Sequence, residues 1–202
     1  MTKIIENIVP FQQKRKFIHH LNFTPGIWIN GKTHWLKKTN EMFLISDGIS
    51  VKMNQRSTIS KVNYFDMIVT NHGKKERHVK LLMMYHHPNQ KKEHISFISP
   101  VDKVIYHVSG GLIYLVNGMH NGNGFNHYTI QSRSNISSNS FWDCQEKGIL
   151  NYRPMYKGSA ASIKVFDLKI GARDIQKCST WSISGNNKIE ITELNNRLLK
   201  TY

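Results

Sequence analysis

The sequence predicts an all-β protein, a many-stranded antiparallel β-sandwich with little helix. Three observations predict it. Short runs rich in Ile, Val, Phe, Tyr and Trp recur along the chain, Asn-Gly, Asp-Gly, Gly-Gly and Asn-rich turns part them, and no segment carries an apolar stripe of helical period over three turns. Strands spaced this way each bury one face, and packing two sheets against each other satisfies all of them.

The elements follow in order. The opening "MTKIIENIVPFQQKRKFIHH" breaks its apolar residues with Glu6, Asn7 and Pro10. It lacks the apolar core of about 7 to 15 residues that a signal peptide needs, so a cytoplasmic protein is expected. A short helix is expected within 11–21. "GIWINGKTHWL" sets Asn30-Gly31 between two strand-forming runs, the pair that a type I′ turn requires because both central residues take positive φ. "MFLISDGISVKM" repeats the pattern with Asp47-Gly48. "VNYFDMIVTNHGKKERHVKLLMMYHH" predicts two long half-buried strands around Asn71-His72-Gly73, with Phe65, Met67 and Val69 on one face and Val79, Leu81, Met83 and Tyr85 on the other strand's buried face. "MMYHHPNQKKEH" then reads as the end of a strand, a turn and the start of its hairpin partner. Further strands are expected at "HISFIS", "KVIYHV", "LIYLV", "NHYTIQS", "ILNYR", "SIKVFDLKI", "CSTWSIS" and "KIEITEL". The Asn, Ser and Gly content of 117–140 points to a long exposed loop region, and 136–147 has room for a short helix. With no repeat and no low-complexity linker, a single β-sandwich domain over 1–202 is expected.

The charge is unusual: 28 Lys and Arg against 13 Asp and Glu give +15 over 202 residues. Such a balance favours a polyanionic partner, while lysines on alternating strands also cover solvent faces and protect sheet edges. Tyr64, Tyr85 and Trp35 lie near basic clusters such as Lys74-Lys75 and Lys91-Lys92 and are candidates to stack bases. No apolar run approaches the roughly 18 residues of a membrane helix. Cys144 and Cys178 lie far apart without metal-ligand spacing, which favours two free thiols. Abundant Asn, Lys and Ile match the composition of an AT-rich bacterial genome.

Catalytic signatures are thin. No GxSxG, HExxH, Walker A or GxGxxG pattern occurs, and "GMHNGNG" lacks the Lys-Ser/Thr of a phosphate loop. Asp143, Glu146, Asp167 and Asp174 are the acids available for paired-carboxylate chemistry. No cofactor is implied. On a strand, His86 and His87 point to opposite faces, so the pair cannot chelate one ion without a bulge. His86, His87 and His94 nonetheless form the one candidate metal set, with His107, His120 or His127 as a further ligand. Among the tryptophans, Trp28 and Trp181 sit in apolar strands and are expected in the core. Trp28, Trp35, Trp142 and Trp181 are the candidates to stack on a sugar face, and Trp142, in polar "SSNSFWDC", is favoured among them as exposed, with Asp143 beside it.

Taken together, "FDMIVTNHGKKERHVKLLMMYHH", "ISFISPVDKVIYHVSGGLIYLVNG" and "DCQEKGILNYRPMYKGSAASIKVFDLKIGARDIQKCSTWSIS" occur in an order that resembles the β-supersandwich (galactose-mutarotase-like) N-terminal domain of bacterial glucoamylase-type glycoside hydrolases. The resemblance spans 62–184 and implies a many-stranded antiparallel sandwich. That family's catalytic glutamates belong to a helical barrel that these residues do not contain, so the resemblance assigns no catalytic residue. Three functions follow as expectations. The first is a non-catalytic binding or accessory sandwich for a glycan, with Trp142, His107, Asp143 and Tyr85 as candidate ligand-binding residues. The second is a basic module for nucleic acid or another polyanion. The third is an enzyme, either metal-assisted through His86, His87 and His94 or sugar-active through His107 and Asp143.

Overall fold

The computed structural model describes residues 20–37, 39–56, 61–88 and 94–200. The helix expected at 11–21, the cluster Lys14-Arg15-Lys16 and the pair Lys91-Lys92 lie wholly or mainly outside them. The first half runs β1 (Asn22–Ile29), β2 (Lys32–Trp35), β3 (Glu41–Leu44), β4 (Ile49–Arg56), β5 (Val62–Asn71), β6 (Arg77–His86), β7 (Ile95–Ser99) and β8 (Val104–Ser109). It continues with β9 (Leu112–Met119), β10 (His127–Ser132), α1 (Arg133–Ser137), β11 (Trp142–Cys144), β12 (Ile149–Leu150), β13 (Met155–Lys157), β14 (Ala160–Ile170), β15 (Ile175–Gly185) and α2 (Lys188–Lys200).

Two large antiparallel sheets, ordered β10-β14-β6-β1-β2 and β13-β7-β8-β9-β15-β5-β4-β3, form a sandwich, and β11-β12 makes a small third sheet. The predicted faces hold: Val79, Leu81, Met83 and Tyr85 of β6 share one buried cluster with Met67 and Val69 of β5, Ile49 and Val51 of β4, and Phe166 and Leu168 of β14. The Asn30-Gly31 hairpin also holds, with φ of 48° and 75° at the two turn residues.

Several expectations are corrected. β5 and β6 are not hairpin partners, and neither are β6 and β7, because in each case the chain crosses from one sheet to the other. Alternation fixes which face of a strand is buried and is silent on which strand lies alongside. The first crossing is held by Asn71, fully buried, whose Nδ2 donates to the carbonyls of Lys75 and Gly171 at 2.8 Å and of Ile170 at 3.1 Å. At Asp47-Gly48 the last paired residues are Leu44 and Ile49, so the turn spans 45–48, and of its residues only Gly48 takes positive φ, 65°. "ILNYR" contributes only Ile149 and Leu150 to a strand. The region 117–140 is mostly ordered structure, since β9 runs through Met119 and β10 begins at His127. The helix near 136–147 lies at 133–137 instead.

"KIEITEL" is helix, not strand. Ile191, Leu194 and Leu198 fall at i, i+3 and i+7 and pack against Val62, Tyr64 and Trp181 on the outer face of the eight-stranded sheet. The stripe is completed by a buried Asn195, whose Oδ1 accepts from Trp181 Nε1 at 3.0 Å and Asn117 Nδ2 at 3.1 Å. Among the described residues no helix is long and apolar enough to cross a membrane.

Candidate functional site

The histidines separate as strand geometry requires. His86 faces outward from β6, and its Nδ1 lies 3.1 Å from the His87 carbonyl. His87 turns inward, its ring 5.4 Å from that of His94 and 5.8 Å from that of Tyr114, and His94 lies 5.3 Å from His107. Both nitrogens of His107 have partners: Nδ1 lies 2.8 Å from Ser96 Oγ and 3.2 Å from His94 Nε2, and Nε2 lies 2.8 Å from Ser162 Oγ. Burial first, then the neighbouring histidines, pushes His94 down to about 4 and His107 well below its ordinary range. Of these rings, His94 and His107 are kept neutral and hydrogen-bonded between the sheets. Among the described residues no three His, Cys, Asp or Glu side chains are placed to hold a metal ion.

The four residues proposed for a ligand are not brought together. Tyr85 and His107 are fully buried between the sheets, where Tyr85 Oη lies 3.0 Å from Thr180 Oγ1 and burial raises the phenol's pKa. Trp142 and exposed Asp143 lie on the segment that covers the outer face of the five-stranded sheet. Trp142 is only 7% exposed, its indole packed beside Phe141 and its Nε1 donating to Thr33 Oγ1 at 3.0 Å, so the expected exposed stacking face is absent there. His107 and Asp143 therefore do not meet as a base and an acid. Trp28 and Trp181 are buried, as expected.

The covering segment, 133–151, rests on an apolar bed of Leu82, Ile163, Val165 and Trp28. It is pinned by Trp28 Nε1 donating to the Gln145 carbonyl at 2.7 Å and Gln145 Nε2 donating to the Gly31 carbonyl at 3.0 Å. Depressions open at both of its ends. The first, about 320 Å³, is lined by Lys80, Asn126, His127, Tyr128, Ile149 and Tyr152. Behind it, Lys80 and Asp167 face each other across β6 and β14, with Nζ 2.7 Å from Oδ1, and His127 Nε2 lies 3.0 Å from Oδ2. Gly148 closes the floor with φ of +63°, and a Cβ there would stand 2.7 Å from Lys80 Cε. Tyr152 is 62% exposed on the rim.

The second depression, about 400 Å³, lies at the far end of β6 and is lined by Trp35, Lys37, His86, Arg133 and Asn139 among others. Neither depression has an Asp or Glu in its lining. Of the four acids considered for paired carboxylates, Asp167 is held by Lys80 and His127, and Asp174 accepts from the Ile175 amide at 2.7 Å and from Gln176 Nε2 at 3.1 Å. Sequence reasoning missed Tyr152 and Arg133 as site residues, and it named His127 only as a possible metal ligand and Trp35 only as a stacking candidate. The available signal was Lys80 and Asp167, charges set among the apolar residues of β6 and β14.

The fold and these depressions define an antiparallel β-sandwich protein with these two openings on the outer face of its five-stranded sheet. Within that class it is similar to a bacterial glucoamylase whose crystal structure holds acarbose: TM-score 0.58 at 8% identity, covering 88% of this chain and 28% of that one. A polysaccharide lyase matches at TM-score 0.45 and 9% identity over 87% of this chain and 27% of its own. A human-microbiome protein assigned as a kojibiose phosphorylase matches at TM-score 0.40 and 9% identity over 91% and 26%. This chain thus spans little more than a quarter of each neighbour. The distant resemblance to the sandwich domain of glucoamylase-type hydrolases holds as one of fold. No family profile and no curated protein matches the sequence.

Proposed function

We propose that this protein is a non-catalytic sandwich that binds carbohydrate, with the depression beneath Tyr152 as its site. The observation that carries the reading is an aromatic ring 62% exposed on the rim of a mainly apolar depression that also holds Asn126 and His127. A sugar offers an apolar C–H face to such a ring and hydroxyls to groups like Asn126 and His127 at its side. Two-carboxylate glycoside hydrolysis needs acids about 5 to 10 Å apart across the scissile bond. The lining supplies none, which favours binding over cleavage. The two free thiols, Cys144 and buried Cys178, fit a reducing compartment, and on that ground we place the protein in the cytoplasm.

A second reading, a basic module for nucleic acid or another polyanion, is favoured by the net charge of +15. One experiment separates them. The full chain is titrated with neutral malto-, cello- and xylo-oligosaccharides and with duplex DNA over a salt series. Carbohydrate binding is expected to persist nearly unchanged with salt. Affinity only for DNA, falling with a log-log slope of about 0.9 per phosphate contacted, would establish the second reading instead.

A further inference from the structure

The second depression has a different chemistry from the first. Three features converge on it. Trp35 lies across the β1 backbone, where a Cβ on Gly26 would stand 2.6 Å from Trp35 Cε3, so this glycine is what lets the indole lie flat on the sheet. Trp35 is also one of the depression's lining residues. Lys37, just after β2, and Arg133, at the start of α1, both line it, and among the described residues no carboxylate pairs with either. His86 is the third. Its Nδ1 lies 3.1 Å from a carbonyl oxygen, which accepts only, so Nδ1 carries the proton and Nε2 keeps a lone pair. Burial, with Arg133's charge adding to it, keeps that ring neutral.

We propose that this groove binds an acidic saccharide: the ring stacks on Trp35, its carboxylate or phosphate meets Arg133 and Lys37, and a hydroxyl donates to His86 Nε2. A bare anion would use the cations and leave the indole and the imidazole acceptor idle. A neutral sugar would leave two cations unanswered in a pocket without an acid. The distance along β6 supports independence from the Tyr152 site: Lys80 and His86 lie six residues apart on that strand, about 20 Å at strand rise. Either site can therefore fail alone.

The test is calorimetric titration of the full chain with a glucuronate-containing tetrasaccharide, with glucose 6-phosphate, with cellotetraose and with inorganic phosphate. Binding of the first or the second is expected, and which one binds tells whether the oxyanion is a carboxylate or a phosphate ester. Arg133→Gln is expected to weaken it about tenfold to a hundredfold, the value of a lost charge-assisted hydrogen bond. Exposed Lys37→Gln, which leaves the packing untouched, is expected to weaken it severalfold, and Trp35→Ala to remove the preference over inorganic phosphate. No binding of either acidic sugar would overturn the proposal. So would binding indifferent to both cation replacements, or inorganic phosphate bound as tightly as the sugars.

Discussion

Acidification is expected to destabilise this fold through its buried imidazoles. His94 is 1% exposed, and its pKa falls from 6.5 to about 4, by burial first and by the charges of His87 and His86 second. Unfolding returns it to its ordinary value, so between those two values the unfolded chain binds more protons than the folded one. Stability is therefore complete above about pH 6.5 and is lost as pH falls toward about 4. At about 1.36 kcal/mol per pH unit, the loss from His94 alone between about pH 7.5 and about pH 5 is on the order of 2 kcal/mol. For a chain of this length that corresponds to a fall of about 4 to 8 °C in Tm. His107, fully buried and pushed further down, adds a loss of the same sign. Urea denaturation followed by circular dichroism at the two pH values measures it. His94→Gln removes the titrating group, and although it lowers stability at neutral pH, the difference between its two curves is expected to shrink by about 2 kcal/mol. Parallel pH dependence in variant and wild type would refute the assignment.

Two further replacements test the packing around the interior and the groove. Lys164 is 1% exposed, donates to the Val116 carbonyl at 2.8 Å and lies 4.6 Å from the Phe125 ring centroid, and burial pushes it down to about 7 from 10.5. Because its folded value is depressed, its charge costs stability progressively as pH falls from 10.5 to about 7. Lys164→Met is therefore expected to stabilise by about 1 to 3 kcal/mol at neutral pH and by less near pH 10, measured by urea unfolding at both. Gly26→Ala is expected to cost about 1 to 3 kcal/mol and to change tryptophan fluorescence, since the new methyl must displace the indole of Trp35.

The sandwich was legible because alternation and turn chemistry are local. Asn30-Gly31 closes its hairpin as its residue types require, and the rows Val79 to Tyr85 and Met67 to Val69 are buried as their period demands. What local pattern does not carry is strand partnership. The alternating face of β6 would be the same whether its neighbour were β5 or, as found, β14 and β1. Helix α2 was hidden because Ile189 and Ile191 alternate over the first turn and because a polar Asn195 completes its buried stripe. The same limit explains the site. His86, His87 and His94 were visible as a group, yet alternation along β6 turns His86 outward, while His87 meets His94 and His94 meets His107 between the sheets. Trp142 sits in polar sequence but is buried because its segment folds down over the bed of Trp28 and Leu82. Tyr152, from "ILNYR", carried no signal beyond being aromatic.

The central claim is that the depression beneath Tyr152 binds carbohydrate, and the most direct measurement compares wild type with Tyr152→Ala. Tyr152 is 62% exposed, so its removal leaves the core intact and unfolding curves are expected to coincide. The neutral oligosaccharide bound most tightly by wild type is titrated into both proteins. A loss of about tenfold or more in affinity is expected for the variant, in line with the roughly 1.5 to 3 kcal/mol gained by burying a large side chain. Equal affinity in the two proteins, or no neutral sugar bound by a folded wild type, would contradict it.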